Sequence, residues 1–396
     1  MTFGNQSENY ASSVFGKCKA LVSPERDSRD WKVDMLSRVS IKKSFAISCL
    51  FAACTLTASA QHFVRTDLTA DVSATSATAP NTDANLVNAW GLSRGSATPW
   101  WVSDNGTGLS TLYDAAGVPQ SLVVTIPLPP GTSGSAAPTG TVFNYTGQFM
   151  IGGKAPLFLF VTEDGTISGW IPGSTTASLA VKRPGKAIYK GCAIAQSSSG
   201  PRLYATNFQT GRVEVYDTGF QPVNLKENAF RLDGIQHSYV PFNIQNVGGN
   251  LVVTFAHKSA GSEDEDHGAG LGYVGIFDAN GRLLQRLEHG KWLNAPWGVA
   301  MAPSDFGTFA HRLLIGNFGD GTIDAYDPIS GRFLGTLLNS TGGNLVVDGL
   351  WAISFGSNGR SGLATDLYFT AGPNDEKNGL FGKITAVPAE QRGNTE

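Results

Sequence analysis

Short runs of alternating apolar and polar residues, separated by turn residues, recur along most of the chain. Three segments follow one template: "WWVSDNGTGLSTLYDAAG" (100–117), "RLYATNFQTGRVEVYDTG" (202–219) and "RLLIGNFGDGTIDAYDPISG" (312–331). Each has an apolar strand, a turn with Asn and Gly, and an alternating strand that ends in Tyr-Asp. A period of two predicts a strand with one buried face, and Asn and Gly tolerate the positive φ of tight turns. The template therefore predicts a repeated β-hairpin.

Diverged copies of the hairpin extend the repeat. "LFLFVTEDGTISGWIPG" (157–173) has Trp170 in the Tyr place, "LYFTAGPNDEKNGLFGKITAV" (367–387) has a longer turn, and "NLVVTF" and "GYVGIFDANG" enclose a longer insertion. A strand precedes most of these hairpins, for example "NAWGLS" (88–93), and another follows several of them, for example "RFLGTLL" (332–338). Four strands per unit, at a spacing of roughly 40 to 60 residues, are typical of β-propeller blades.

Six such units fit between Leu86 and Val387. We therefore predict an all-β chain that folds as a six-bladed β-propeller with four-stranded antiparallel blades. The segment "FVRTDLTA" (63–70) is left over and is predicted to add a strand to the last blade, closing the ring and covering its edges. The alternative, a β-sandwich, does not explain three near-copies of one hairpin.

Composition agrees with this fold class. The 396 residues are 41% hydrophobic and 15% charged, with 48 Gly and 19 Pro, so the chain can bury a large core through many short strands. The formal net charge is −3, and no basic stripe indicates a nucleic-acid partner.

The first 60 residues predict export. Arg38, Lys42 and Lys43 precede the apolar run "FAISCLFAACTL" (45–56), and "ASA" (58–60) supplies the small residues of a cleavage site before Gln61. Residues 35–60 are therefore interpreted as a signal peptide, with a buried strand as the alternative, and residues 61–396 as a single propeller domain. Residues 1–34 are either a disordered leader or a mis-assigned start. We expect a periplasmic or secreted bacterial protein with no transmembrane segment in the mature chain. Of the four cysteines, only Cys192 falls in the predicted mature chain, and it is expected to be buried.

Several motifs resemble those of known propellers. The strand and turn pattern of the fifth unit resembles NHL repeats. Together, "NLVNAWGLS", "WWVSDNGTGLSTLYD", "EDGTISGW", "YVPFNIQ" and "APWGVA" resemble an uncharacterised family of exported bacterial propellers, some of which carry PEP-CTERM sorting tails. The resemblance covers about residues 62–387 and implies the fold and export, but no reaction.

Oxygen-bearing side chains collect at one predicted mouth of the central channel. The turns between the second and third strands lie on the same face as the connections between blades. Such a ring of oxygens is compatible with Ca²⁺, which takes six to eight oxygen ligands. For any single residue, its suitability for a turn is the better explanation. The predicted mouth residues are Asp104, Asn105, Glu163, Asp164, Asn207, His257, Asn317 and Asp320, with Asn374 and Asp375 in the last unit.

One enzymatic interpretation comes from a weaker resemblance. "DGLWAISFGSNG" (348–359) is similar to the strand-opening stretch of gluconolactonase-like propellers, which implies that Asp348 binds metal and acts as a base. The family's metal-binding Asn is absent, because "PWG" (296–298) stands in its place. Asn243 in "PFNI" is a displaced substitute.

The acidic insertion "AHKSAGSEDEDHGAGLG" (256–272) is predicted to be the mouth turn of the fourth unit. We expect His257 to line the mouth and the run Glu263–Asp266 to stay outside it as a solvated or partner-docking loop. The spacing lacks the alternating order of a calcium loop, so a metal site is the alternative.

Two interpretations of function stay open, and the sequence leaves open whether the protein is an enzyme. The first is an exported propeller that binds a small molecule, a polysaccharide or a protein at the channel mouth. The second is a metal-dependent hydrolase or lactonase with its site at the same mouth.

Overall fold

The computed structural model describes residues 61–387. The predicted leader (1–34) and signal peptide (35–60) lie outside the described residues. The described chain forms six antiparallel sheets arranged as the blades of a β-propeller, which confirms the predicted fold class.

The first three blades follow the chain order, with the innermost strand first. Before them come two strands, β1 (His62–Ala70) and β2 (Asn81–Thr82), that belong to the last blade. Blade 1 has β3 (Ala89–Ser93), β4 (Trp100–Asp104), β5 (Leu109–Tyr113) and β6 (Val124–Thr125). Blade 2 has β7 (Pro138–Phe143), β8 (Phe158–Thr162), β9 (Thr166–Trp170) and β10 (Ser178–Lys182), and blade 3 has β11 (Tyr189–Ser197), β12 (Gly200–Asn207) and β13 (Arg212–Tyr216).

The other three blades repeat the pattern. Blade 4 has β14 (Tyr239–Val247), β15 (Asn250–His257), β16 (Gly272–Phe277) and β17 (Leu283–Arg286). Blade 5 has β18 (Pro296–Met301), β19 (Leu313–Asn317), β20 (Ile323–Tyr326) and β21 (Phe333–Thr336), and blade 6 has β22 (Leu350–Phe355), β23 (Leu367–Ala371) and β24 (Leu380–Val387). A short 3-10 turn, Gly307–Phe309, interrupts blade 5. No helix within residues 61–387 has the length and apolar character needed to cross a bilayer.

Blade 3 differs from the others in its outer edge. Its fourth strand is reduced to a bridge between Tyr216 and Pro222 and a hydrogen bond from the Val223 N–H to the Val215 carbonyl. The chain then leaves the sheet, because "NLKEN" (224–228) has no alternating apolar positions with which to continue a strand.

The ring is closed by its first strand. β1 pairs antiparallel with β24, with Phe63 opposite Ala386 and Thr66 opposite Lys383, which confirms the predicted closure. Phe63 is 1% exposed and packs on Phe306 and Phe309 of blade 5. The closing strand β1 therefore adds core contacts with blade 5 and also covers the edge of β24.

Small residues let the innermost strands approach one another at the axis. A Cβ on Gly140 of β7 would lie 2.7 Å from the backbone nitrogen of Cys192 on β11, closer than real Cβ contacts. Cys192 is free and buried, as predicted. Above this glycine level, six aromatic side chains fill the channel: Trp90, Phe208, Phe242, Trp297, Phe318 and Trp351, here called the aromatic plug. They are all less than 9% exposed.

Candidate functional site

A polar network covers the aromatic plug at one mouth of the channel. Its members come from five of the six blades, so only the closed ring can bring them together. Its seven residues, here called the mouth network, are Asn88, Asn105, Glu163, Lys190, Asp264, Glu265 and Glu376.

Lys190 lies at the centre of the mouth network. It belongs to the innermost strand of blade 3, and its side chain is 1% exposed. Its Nζ lies 2.5 Å from Oε1 of Glu163 and 3.0 Å from Oδ1 of Asp264. Below the ammonium, the rings of Trp90 and Phe208 have their centroids at 5.1 and 5.5 Å. The cation is thus held between carboxylates and aromatic faces.

The charge of Lys190 is stable in this position. Burial by itself would lower the pKa of Lys190, but the charges of Glu163, Glu265 and Asp264 outweigh burial and raise that pKa. Its backbone is also fixed, since the Trp297 indole N–H donates to the Lys190 carbonyl at 3.1 Å.

Asn88 connects the first and last blades. It precedes β3, is 4% exposed and has a positive φ of 49°. Its Nδ2 donates to Glu376 at 2.7 Å and to Asn105 at 3.3 Å, and its Oδ1 accepts the Trp351 indole N–H at 3.1 Å. Asn105 then donates to Glu163 at 2.9 Å. The amides therefore orient two carboxylates on either side of Lys190.

Glu376 is presented by a strained turn between β23 and β24. Asn374, Asp375 and Glu376 have φ values of 60°, 50° and 62°, a left-handed run that side-chain-bearing residues rarely adopt. Asp348 holds the turn from outside, because its Oδ2 accepts the Asn374 N–H at 3.0 Å. Each such residue costs about 1–3 kcal/mol, and strain of this kind often marks functional sites.

Two carboxylates at the mouth lack a lysine or arginine partner within ion-pair distance. The Glu265 side chain is 3% exposed, and its ion-pair partner is the half-exposed ring of His267 at 3.6 Å. Burial and then the charge of Glu265 raise the pKa of Glu376 to about 7. The contact with Glu265 likewise raises the pKa of His267. Glu376 can therefore gain or lose a proton near neutral pH.

Two clefts adjoin the mouth network. The smaller, about 300 Å³, is lined by Glu163, Asp164, Glu263 and Asp264 and is here called the acidic cleft. The larger, about 620 Å³, lies between the blade 3 turn (208–211), the connection 230–241 and the start of the acidic loop (258–261), and is here called the blade 3 cleft. Gln209 lines both.

The structure brings some of the predicted site residues to the mouth. Asn105 and Glu163 belong to the mouth network. Asp164 lines the acidic cleft, where its Oδ2 accepts the Ala137 N–H. Asp348 is exposed at the rim and contacts the Glu376 turn rather than the network itself.

Other predicted residues stay within their own blades. Asn207 donates to Glu214 at 2.9 Å and Asn317 to Asp324 at 2.8 Å, so each closes its hairpin turn. Asp320 accepts bonds from Thr322. Asp104 is fully buried in blade 1, and burial raises its pKa well above the usual range.

The two residues of the lactonase interpretation, Asn243 and Asp348, lie in different surroundings. Asn243 is 4% exposed on β14 and donates to the Trp297 carbonyl at 2.7 Å, inside the channel. Asp348 is exposed at the rim. The two residues therefore have separate structural partners.

The acidic insertion behaves differently from the expectation. The prediction that the whole run Glu263–Asp266 stays outside the mouth is wrong for Glu265, whose side chain is 3% exposed. Asp264 contacts Lys190 but keeps a side chain that is 77% exposed. His257 packs edge-on against Tyr239, and its Nδ1 lies 2.5 Å from Oδ2 of Asp266. His257 and Asp266 thus fix the base of the loop.

The sequence reasoning missed Asn88, Lys190, Glu265 and Glu376 as site residues. The sequence does contain a sign that Lys190 is a site residue. It is the one charged residue in the strand segment 189–195, whose remaining residues are all apolar or Gly. Within residues 61–387, no group of three or more His, Cys, Asp or Glu side chains is arranged to hold a metal ion. At the mouth, the Lys190 ammonium lies among the carboxylates instead.

Sequence relatives of the chain are viral proteins. No protein-family profile matches the chain. The uncharacterized protein R648 of Acanthamoeba polyphaga mimivirus is 32% identical over 328 residues, which cover 77% of this chain and 76% of that protein. The uncharacterized protein L690 of the same virus is 29% identical over 330 residues, covering 77% of this chain and 82% of its own.

Solved structures with a similar backbone are propellers of diverse activity. A protein of unknown function from Bacteroides thetaiotaomicron has a TM-score of 0.49 at 11% identity, covering 83% of this chain and 76% of its own. A streptogramin B lyase has a TM-score of 0.48 at 11% identity, and the match covers 83% of this chain and 98% of the lyase. A gluconolactonase from Xanthomonas campestris has a TM-score of 0.36 at 14% identity, and the match covers 58% of this chain and 82% of the gluconolactonase. Likenesses of this size carry no argument about function.

Proposed function

The chain belongs to the same protein family as the mimivirus protein R648, and we propose that it is a ligand-binding propeller whose site is the mouth network. The proposed ligand carries a cationic group, such as an amine, that contacts Glu265 and Glu376. Sugars and proteins that bear such a group fall within this class.

The observation that carries the proposal is an excess of carboxylates over cations at the mouth. Lys190 contacts Glu163 and Asp264 directly, whereas Glu265 and Glu376 lie nearby without a lysine or arginine of their own. A half-buried carboxylate beside another carboxylate is unfavourable in its ionised form, and burial together with the charge of Glu265 raises the pKa of Glu376 to about 7. A ligand ammonium would supply the missing counter-ion and favour the ionised form of Glu376.

Isothermal titration with spermidine, a linear amine with three cationic groups, tests the class of ligand. We expect binding to strengthen as the pH rises from 6 to 8, because Glu376 ionises through about pH 7 and only its ionised form attracts the amine. Glu376→Gln should weaken binding about tenfold, the usual effect of one charge-assisted contact, and should remove this pH dependence.

The control is Glu227→Gln, which removes one exposed acid from the connection after blade 3 and so changes the net charge equally. It should leave the affinity within about twofold, since it lies outside the mouth. Equal weakening in both variants would mean that spermidine responds only to overall charge. Either that result or the absence of binding would contradict the proposed ligand class.

A second candidate, proton-transfer catalysis at the same mouth, is favoured by one observation. Glu376 has a pKa of about 7, which suits a general acid or base at neutral pH. His267, whose pKa is raised by Glu265, is the proposed partner in proton transfer. In that case, Glu376→Gln would abolish turnover of a bound ester or lactone while the complex still formed.

We also propose, from the order of basic, apolar and small residues in 38–60, that the propeller is exported. N-terminal sequencing of the mature protein should begin at or near Gln61. A cytoplasmic protein that retains residues 35–60 would contradict export.

A further inference from the structure

A third cleft is formed where blade 3 has lost its fourth strand. After Val223 the chain leaves blade 3 and crosses to blade 4, where the Phe230 N–H donates to the Gly281 carbonyl at 2.8 Å. The crossing segment (223–231) and the blade 4 turn (278–282) line a cavity of about 730 Å³, here called the outer cleft. Because this turn joins β16 to β17, the outer cleft lies at the end of the strands opposite the mouth. Its volume admits a small organic molecule.

The outer cleft contains a buried cation without a counter-ion. Within residues 61–387, Arg202 of β12 and Lys190 are the two buried cations, and Arg202 is 9% exposed. Lys190 has carboxylates at 2.5 and 3.0 Å, whereas none of the ion pairs in this range includes Arg202. The other arginines without an ion pair are exposed, apart from the half-buried Arg94.

Neutral groups hold the Arg202 guanidinium in place. Its Nη1 donates to Oδ1 of Asn280 at 3.0 Å and to the Ala279 carbonyl at 3.3 Å, and its Nη2 donates to Oγ of Ser199 at 2.9 Å. These three bonds use three of the five guanidinium hydrogens and leave two. A fixed guanidinium with two hydrogens to donate matches the two oxygens of a carboxylate.

The other charges in the outer cleft also favour an anion. Its lining includes four cationic and two acidic side chains: Arg202, Lys226, Arg231, Arg282, Asp233 and Asp278. Arg282 and Asp278 form an ion pair with each other at 3.1 Å. Oδ1 of Asp278 also accepts two backbone N–H groups of its own turn. Three cations are therefore left with Asp233 as the remaining acid, so the cleft attracts negative charge.

Apolar side chains complete the lining of the outer cleft. They are all partly buried: Val223, Leu225, Ala229 and Leu283. We propose that the outer cleft binds a carboxylic acid with an apolar body. The carboxylate contacts Arg202 and supplies the counter-ion that this residue lacks, while the body packs on Leu225 and Leu283. This site is separate from the mouth network and does not rest on the function proposed there.

Isothermal titration at pH 7 with 2-naphthylacetate tests the proposal. The matched probe is 2-(2-naphthyl)ethanol, which has the same rings but no charge. We expect the acid to bind at least about tenfold more tightly than the alcohol, the usual effect of a charge-assisted contact. Arg202→Gln should remove this preference. The control is Arg332→Gln, which removes one exposed cation beside β21 and should leave the affinity for the acid within about twofold.

A second variant keeps the test independent of the stability of Arg202→Gln. Arg231 is exposed at the outer cleft, so Arg231→Gln should keep the melting temperature and weaken binding of the acid about threefold. Three results would each overturn the proposal. They are equal affinities of the acid and the alcohol for the wild-type protein, no binding of the acid at millimolar concentration, and equal affinities of the folded Arg202→Gln and Arg332→Gln variants for the acid.

Discussion

At the scale of single residues, the mouth depends on one buried cation. Lys190 is surrounded by carboxylates from blades 2 and 4, and its own blade supplies the strand that carries it and the Phe208 ring. Removing one partner of a buried ion pair leaves an uncompensated charge, which is more costly than the pair itself is stabilising. Glu163 would be left in this state without Lys190.

We therefore predict that Lys190→Met lowers the free energy of unfolding by about 3 kcal/mol. Urea denaturation of the purified protein measures this change. The control is Arg282→Met, because Arg282 pairs with Asp278 but has a side chain that is 75% exposed. An exposed pair contributes about 0–1 kcal/mol, so the control should change little. Similar small effects in both variants would show that Lys190 is solvated.

The site residues that the sequence did not reveal were missed for a common reason. Asn88, Glu265 and Glu376 acquire their roles from partners that are 17 to 288 positions away along the chain or in another blade. No local spacing encodes such contacts. Asn105 and Glu163 could be predicted, because they occupy turns whose position in the repeat fixes the face on which they lie.

At the scale of elements, the hairpin template predicted the strands well. The three template segments form the strand pairs β4 and β5, β12 and β13, and β19 and β20, with the Asn-containing turns between the paired strands. The fourth strand of blade 3 could not be predicted, because its loss depends on where the chain leaves the sheet. The acidic insertion was also placed in the right turn, but its direction is set by Lys190 of another blade.

At the scale of elements, we predict that the closing strand β1 contributes strongly to stability through Phe63. Phe63→Ala should destabilise the protein by about 3–5 kcal/mol, since it leaves a cavity against Phe306 and Phe309 where β1 closes the ring. Thermal and urea unfolding measure the loss. The neighbouring substitution Val64→Ala is the control, because Val64 is 39% exposed and should change stability by only about 0.5 kcal/mol. Equal effects of the two substitutions would mean that β1 only covers an edge.

At the scale of the whole molecule, the sequence repeat was enough to predict the fold. The site could not be predicted in the same way, because its residues meet only when the ring of blades is closed. Six units and one leftover strand specify a closed propeller, because β1 completes the last blade and the ring leaves only the short outer edges of the blades. The polar network forms where five blades meet, above a plug of aromatic side chains that fills the channel. The ring thus supports two carboxylates that no single blade could bring together.

The measurement that tests this account most directly is an NMR titration of protein with ¹³C-labelled glutamate carboxyls. One carboxyl, absent from the spectrum of Glu376→Gln, should titrate at about pH 7. Its pKa should fall in Glu265→Gln, where the neighbouring charge is lost, and also when spermidine saturates the wild-type protein. If Glu376 titrates in the ordinary range, at about 4.3, and spermidine leaves its pKa unchanged, the mouth holds no uncompensated charge and the proposed binding site is wrong.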